Sequence, residues 1–371
     1  MKLSKTISEL VQISENTCAL EEQSLDITVP AFDEGIPIDT DDSGPSKTAL
    51  IAVHYGGYNE IRKNATTRAV QEWDSQQIKP DDGIFIELTY PGESPCFSQS
   101  DFPKWIRYMR IYGKERNRNL FQKEALWNLA TKYTDADKLF FLDADCMPVN
   151  CKTYFQQIFN ACTPGKCVHA AWHIIHENQP PDSHDFYTVF SNDPSLNGKP
   201  RFPGIGYCLT RHDFHKMDGF NPYSICGSGD VVFLMEMMKG LDRHQYVARL
   251  YHTALLRPDQ PQLTPVAVPG IDVQHNFHGY RKDRAYIWSR YLVEIFGTPK
   301  AYCHIDSAGL IAWNDPIFPL KYMVMQKNRM HTKNELLALI YEVFKQRLDE
   351  QELLNKNPNY CYDKTDGNIF D

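Results

Sequence analysis

Residues 139–145 read Leu139-Phe140-Phe141-Leu142-Asp143-Ala144-Asp145, an apolar run that stops abruptly at two carboxylates separated by one residue. Four consecutive large apolar residues suit a strand buried on both faces, as in the middle of a mostly parallel sheet. Ligands of open α/β sheets collect beyond the carboxyl ends of such strands, where Asp143 and Asp145 fall. Two anionic side chains held together there repel each other, which costs stability unless a cation lies between them. Carboxylate oxygens select Mg²⁺ or Mn²⁺, and such ions usually complete their shell with phosphate oxygens of a substrate. The strand and its DxD therefore point to a metal–diphosphate site. Taken alone, the pattern also fits a surface turn after a strand.

Outward from this strand, the chain alternates between strand and helix patterns. Residues 113–133, GKERNRNLFQKEALWNLATKY, place Phe121, Ala125, Leu126, Leu129, Ala130 and Tyr133 on one helical face and lead straight into the DxD strand. Earlier, Ala49–Val53 reads as a buried strand, Asn59 to Trp73 as a helix and Ile84–Leu88 as a second strand, a parallel α/β unit. A loop rich in glycine and proline follows over residues 90–105. Beyond the DxD, Cys167–His176 reads as one further strand and then a long polar and aromatic loop, a kind usually functional or mobile. GIGYCLTRHDFHKMDGF predicts a short strand, a helix start and a turn, and SICGSGDVVFLMEMMKGL a glycine-rich turn running into an apolar helix. A later strand yields two histidines, His275 and His278, and then a basic helix. Near the end, Leu337, Ile340, Tyr341, Phe344 and Leu348 share one face of an amphipathic helix expected to dock on the body.

The chain's 371 residues suffice for one large α/β domain or two smaller ones. A hydrophobic share of 42% and a charged share of 23% are those of an ordinary globular protein. The net charge of −8 argues against a general polyanion binder, though a cleft can be locally basic. Residues 1–45 are polar and acidic and read as a flexible extension with one short helix near Ile7–Val11. The opening lacks the apolar core of a signal peptide, and no apolar run reaches about 18 residues. The ten cysteines show no CxxC pair or regular spacing, which implies reduced thiols and a cytoplasmic protein without membrane association. Cys146, beside the carboxylates, reads as a small packing residue more than as a soft metal ligand.

Three segments resemble glycosyltransferases of the GT-A fold. One is LFFLDADCMP with the helix before it, which carries Gln122, Lys123, Glu124 and Asn128. Another is GIGYCLTRHDFHKMDGFNPYSICGSGD, with an Arg-x-x-Phe step and a Gly-Phe turn ahead of a glycine-rich turn and an acid. The last is HNFHGYRKDRAYIWSR, similar to a His-x-x-His-Gly element of glycosyltransferase-like proteins from phages and large viruses. Together they span roughly residues 48–310. The resemblance implies a mixed, mostly parallel sheet flanked by helices. It places the GT-A domain at 46–312 and leaves 313–371 as a helical extension and polar tail. It also implies a nucleotide-sugar donor, with UDP favoured, Mn²⁺ or Mg²⁺ as cofactor, and transfer of a hexose or pentose to a hydroxyl. A modified DNA base, a glycan or a protein side chain can supply that hydroxyl, in the host cytoplasm if the source is a phage or virus.

Carried over residue by residue, the resemblance makes Asp145 the direct metal ligand and Asp143 the residue that meets the ribose, or the metal through water. His275 and His278 are candidates for the remaining ligand. On a regular strand they face opposite sides, so one of them is expected to bind, and His278 is preferred because Gly279 beside it permits close backbone approach. Asp230 is the candidate catalytic acid, which as a base would deprotonate the acceptor hydroxyl. It also suits the N-cap of the helix after it. The chain has Ser228-Gly229 where many inverting relatives carry a glutamate beside this aspartate, which leaves the stereochemical outcome open. Among the basic residues 281–290, Arg284 together with Tyr286 is assigned to the diphosphate. His54, Tyr55 and Glu87 are assigned to the base and ribose. Rival readings are a nucleotide-sugar-binding module without turnover and a haloacid-dehalogenase-type phosphatase. The latter is disfavoured by Met147 and by the late position of Asp143.

Overall fold

The structure, a computed structural model, describes residues 46–56, 60–118, 120–177, 185–191, 193–196, 201–225, 227–238, 255–257, 259–276, 298–301, 303–314, 324–326 and 329–331. The expected extension over 1–45, the amphipathic helix through Leu337 and Leu348, and His278, Arg284 and Tyr286 lie outside the described residues.

The chain opens with strand β1 (Thr48–Tyr55), helix α1 (Glu60–Asp74), β2 (Asp82–Thr89) and β3 (Ile106–Tyr112). Helix α2 (Lys123–Ala130) precedes β4 (Lys138–Leu142), and after the DxD come β5 (Cys146–Val149) and α3 (Tyr154–Ala161). Then follow β6 (Lys166–His169), β7 (His173–His176), β8 (Asp185–Thr188), β9 (Arg201–Phe202), β10 (Gly206–Thr210), α4 (Arg211–Lys216) and α5 (Gly229–Met238). Strands β11 (Thr264–Val266), β12 (Asp272–His275), β13 (Cys303–Ile305) and β14 (Ile311–Trp313) come later.

Seven strands form the main sheet in the order β11-β6-β10-β4-β1-β2-β3. Every neighbouring pair is parallel except those of β10, which runs antiparallel to β4 and β6. This is the mixed, mostly parallel, helix-flanked sheet expected from the sequence. Burial on both faces explains the apolar run of β4. Leu139 and Phe141 join a cluster with Leu126, Trp127 and Ala130 of α2, while Phe140 and Leu142 join Ala69, Val70 and Trp73 of α1 and Phe155 of α3. These four of the five β4 residues are fully buried, and each such side chain contributes about 1.5–3 kcal/mol relative to exposure.

Four expectations about elements need correction. Strand β3 was not expected at all. It pairs in parallel with β2 at the sheet edge, where every second or third residue is exposed, so its apolar content is diluted. The helix expected over 113–133 is confined to Lys123–Ala130, between short 3-10 turns at Glu115–Asn117 and Thr131–Tyr133. The stretch ahead of it is held by other bonds: the Gln122 amide donates to the carbonyls of Asn117 and Ile311, and Phe121 N–H donates to Ile225 O. The single strand expected over Cys167–His176 is two, β6 in the main sheet and β7 in a second one. Finally, α5 begins at Gly229, so Asp230 is its second residue and not its N-cap.

The second sheet has the order β5-β12-β7-β8-β9. Its first strand, β5, leaves directly from the DxD turn, and Trp73 of α1 anchors that strand through a 2.9 Å bond from Nε1 to Cys146 O. No helix among the described residues is long and apolar enough to cross a membrane.

Candidate active site

Two backbone bonds shape the turn at the end of β4. Asp143 N–H donates to Ile205 O at 2.8 Å, and Cys146 N–H donates back to Asp143 O at 3.1 Å. The first needs β10 to come very close. Gly206 allows it, because a Cβ there would collide with the carbonyl oxygen of Phe141. The turn leaves both aspartates at the carboxyl edge of the parallel sheet, beside His54 and Tyr55 at the end of β1.

The second sheet then delivers an imidazole. β12 lies between β5 and β7, with His275 opposite Cys146 on one side and His176 on the other. Asn276 N–H donates to Asp145 O at 2.9 Å, locking this register. His275 Nε2 consequently sits 3.5 Å from Asp145 Oδ1, and the His176 ring lies edge-on to the His275 ring at 5.1 Å.

Asp143 is differently engaged. Its Oδ1 accepts from Lys123 Nζ at 3.1 Å, and the same ammonium rests 4.7 Å from the Trp127 ring. Burial pushes the Asp143 carboxyl up to about 6, against the pull of Lys123 and with the repulsion of Asp145. Burial opposes charge on Lys123 as well, yet Asp143, Glu124 and Asp230 hold its ammonium above the ordinary lysine range. One fixed cation thus sits among three acids.

Asp230 projects into the same cavity from the first turn of α5. Left-handed backbone at Gly227 (φ 91°) and Ser228 (φ 62°) bends the chain sharply before the helix. Gly204 makes room for the Asp230 carboxylate, since a Cβ there would lie 2.8 Å from Oδ2. Arg62 and Thr66 of α1, Phe121, Phe202 and Glu124 complete the lining with the residues already named.

Two groups of side chains have donor atoms close enough together to hold an ion: Asp145 with Cys146 and His275, and His54 with Glu87 and Cys96. In the first group, burial raises the Cys146 thiol well above its usual range, so it stays protonated, and its Sγ donates to Asp145 Oδ1 at 3.7 Å. That leaves a carboxylate and an imidazole as ligands, a set suited to Mn²⁺ or Mg²⁺ completed by phosphate and water oxygens. In the second group, the Glu87 oxygens already accept from Cys96 N–H (2.6 Å), Phe97 N–H (3.3 Å) and Tyr108 Oη (2.6 Å).

The cavity therefore gathers His54, Tyr55, Asp143, Asp145, Asp230 and His275 of the residues named from sequence. Glu87 is the exception. It is fully buried, away from the cavity lining, and its carboxylate ties down the backbone at Cys96 and Phe97, so this conformation offers no ribose contact from it. Lys123, Glu124 and Arg62 are site residues to which sequence reasoning gave no role. The sequence signal for two of them is a Lys-Glu pair opening an otherwise apolar helix directly before the DxD strand. Gln122 and Asn128, quoted with them, are structural: Asn128 Nδ2 donates to Phe220 O and its Oδ1 accepts from Phe220 N–H, both at 2.8 Å.

No protein-family model matches the chain. A comparison with curated proteins likewise finds no match. Among solved structures, GalNAc-T7 crystallised with UDP, GalNAc and Mn²⁺ is similar over 68% of this chain and 48% of its own, at 11% identity and a TM-score of 0.39. TarS of S. aureus is similar over 68% of this chain and 40% of its own, at 9% identity and a TM-score of 0.35. The chain spans less than half the length of either structure.

Proposed function

We propose that the chain is a metal-dependent GT-A glycosyltransferase that moves a sugar from a nucleotide-sugar, with UDP-sugars preferred, to a hydroxyl acceptor. The observation that carries this reading is the meeting of Asp145 and His275 at the carboxyl edge of the parallel sheet, in a cavity that also holds Lys123, Asp143 and Asp230. Asp145 and His275 hold the divalent ion, with His278 as a further candidate ligand. When bound, the ion supplies Lewis-acid neutralisation of the charge that develops on the departing diphosphate.

The chain's own residues do the remaining work. Lys123 and Arg62 give fixed positive charge on the diphosphate side, joined by Arg284 and Tyr286. Asp143, oriented by Lys123, faces the ribose or a water of the ion's shell. His54 and Tyr55, at the end of β1, border the nucleoside. Asp230 binds the acceptor hydroxyl. The test is calorimetric titration of UDP into the protein with Mn²⁺ and again with chelator. Binding with Mn²⁺ that is lost with chelator is expected, and equal affinity in both conditions would sink the reading.

A further inference from the structure

We propose that Glu124 is the carboxylate that takes the proton from the acceptor hydroxyl during transfer, while Asp230 holds that hydroxyl in place. The assignment rests on the transferase reading above.

Three buried glutamates show how unusual Glu124 is. Glu87 accepts from two backbone N–H groups and a tyrosine hydroxyl. Glu236 accepts from Asn221 Nδ2 at 3.0 Å and from the backbone N–H, Nε and Nη2 of Arg257. Both are saturated, as buried charges must be to persist. Glu124 is equally buried, at 2% exposure, but its Oε2 has no hydrogen-bond partner among the described residues. It borders the cavity that Asp230 and Lys123 also line. A buried carboxylate with one oxygen left without a partner costs free energy, so a chain that needed only packing here would do better with leucine or glutamine.

The fold also makes specific room for it. Glu124 Oε1 and Cδ lie where a Cβ on Gly229 would be, so the first residue of α5 must be glycine for this carboxylate to keep its place. The positive end of that ten-residue helix favours the ionised form. The charged and titratable groups around Glu124 are Lys123 on its own helix, Asp143 after β4, Asp230 on α5, Tyr207 on β10 and, beyond Lys123, Tyr55 on β1. Burial raises its carboxyl to about 7, with Lys123 and a hydrogen bond from its own backbone N–H opposing and Asp230 and Asp143 assisting. A carboxylate in that range suits proton acceptance near neutral pH.

The step balances simply. The acceptor oxygen bonds to the anomeric carbon as the bond from that carbon to the diphosphate oxygen breaks. The bonding pair leaves on the diphosphate, and the hydroxyl proton passes to Glu124. With water as acceptor, the same events hydrolyse the donor.

The test uses the full chain with Mn²⁺ and UDP-glucose, UDP-galactose, UDP-N-acetylglucosamine and UDP-N-acetylgalactosamine, reading UDP release and, separately, UDP affinity by calorimetry. Glu124→Gln is expected to lower kcat by about 10²–10⁴-fold with UDP affinity unchanged. Glu124→Ala is expected to recover turnover on addition of sodium formate, a small carboxylate that fits the vacated space. A merely structural role predicts no such recovery. Should the glutamine variant unfold, Glu124→Asp, which withdraws the charge by one methylene, must show the same loss of kcat at an unchanged melting temperature. Wild-type hydrolysis matched by Glu124→Gln overturns this assignment and leaves the transferase reading standing. Mn²⁺-dependent UDP binding without hydrolysis of any of the four donors also overturns it. Absence of Mn²⁺-dependent UDP binding in the wild type overturns the transferase reading, and this assignment with it.

Discussion

His275 Nε2 lies 3.5 Å from Asp145 Oδ1 because β12 pairs with β5 in a register that sets His275 opposite Cys146. A strand slipped by one residue would turn the imidazole to the other face of the sheet. Asp145→Asn and His275→Ala should therefore each remove the Mn²⁺-dependent part of UDP affinity. Calorimetry with and without chelator checks this, and a variant that keeps the full Mn²⁺ enhancement takes its residue out of the ligand set.

Lys123→Met should strip Asp143 of its counter-ion. The pair is about four-fifths buried, so the loss should fall between the values for exposed and buried pairs, about 1–3 kcal/mol. Without the ammonium, the Asp143 carboxyl, already raised to about 6, rises further. The loss should therefore be greatest above pH 6 and shrink under acid conditions. Urea unfolding at pH 5 and pH 8 measures the difference, and an equal loss at both would remove the pair as its cause.

Glu124 makes a separate pH prediction. Its carboxyl ionises near 4.5 when unfolded and near 7 when folded, so the unfolded chain releases this proton first as pH rises. Stability should fall through that window, by an amount on the order of 3 kcal/mol for this group. Glu124→Gln should be more stable than the wild type above pH 7, with the gap closing toward pH 4.5. A gap that does not change with pH would show that burial leaves this carboxyl unaffected.

Gly229→Ala would ordinarily favour a helix by up to about 1 kcal/mol. Here the added methyl displaces the end of the Glu124 side chain, a flexible group that can swing aside. The expected result is a melting temperature close to wild type with a large loss of turnover. Retained turnover would mean that the position of the Glu124 carboxylate is immaterial.

Glu87→Gln tests whether that acid is structural. Replacing an acceptor of three hydrogen bonds with an amide should cost about 1–3 kcal/mol and leave UDP affinity unchanged. Weakened UDP binding at an undiminished melting temperature would restore the ribose role.

The parts of the fold legible from sequence are those with the most extreme burial. β1, β2 and β4 are enclosed on both faces, so their side chains form continuous apolar runs, and β4 ends where its carboxylates begin. Strand β3 escapes this logic because one side of it meets solvent and Arg107 and Arg110 interrupt it. The break between β6 and β7 leaves no local mark, because Ala170, Ala171 and Trp172 suit a strand as well as a crossing between sheets. At the site, spacing and glycine context singled out Asp143, Asp145 and Asp230, which line one cavity. The approach of His275 to Asp145 depends on a pairing that only the second sheet defines, and His278 lies outside the described residues. Lys123 and Glu124 belong to a segment quoted for the resemblance but carried no assigned role, because opposite charges side by side at a helix start usually mean a solvated surface. Only the approach of Gly229 and Asp143 turns them inward.

The insertion of β12 between β5 and β7 also has a consequence for biosynthesis. Both aspartates and their strand are made early, but the imidazole belongs to a segment translated much later. At ordinary elongation rates of about 5–20 residues per second, the half-built site must wait roughly 10 s on the ribosome for its third side chain. During that interval β5 and β7 each expose an unpaired edge to the crowded surroundings of the nascent chain. Capture of a divalent ion by Asp145 and His275 would then tie the last strand to arrive to the turn that was made first.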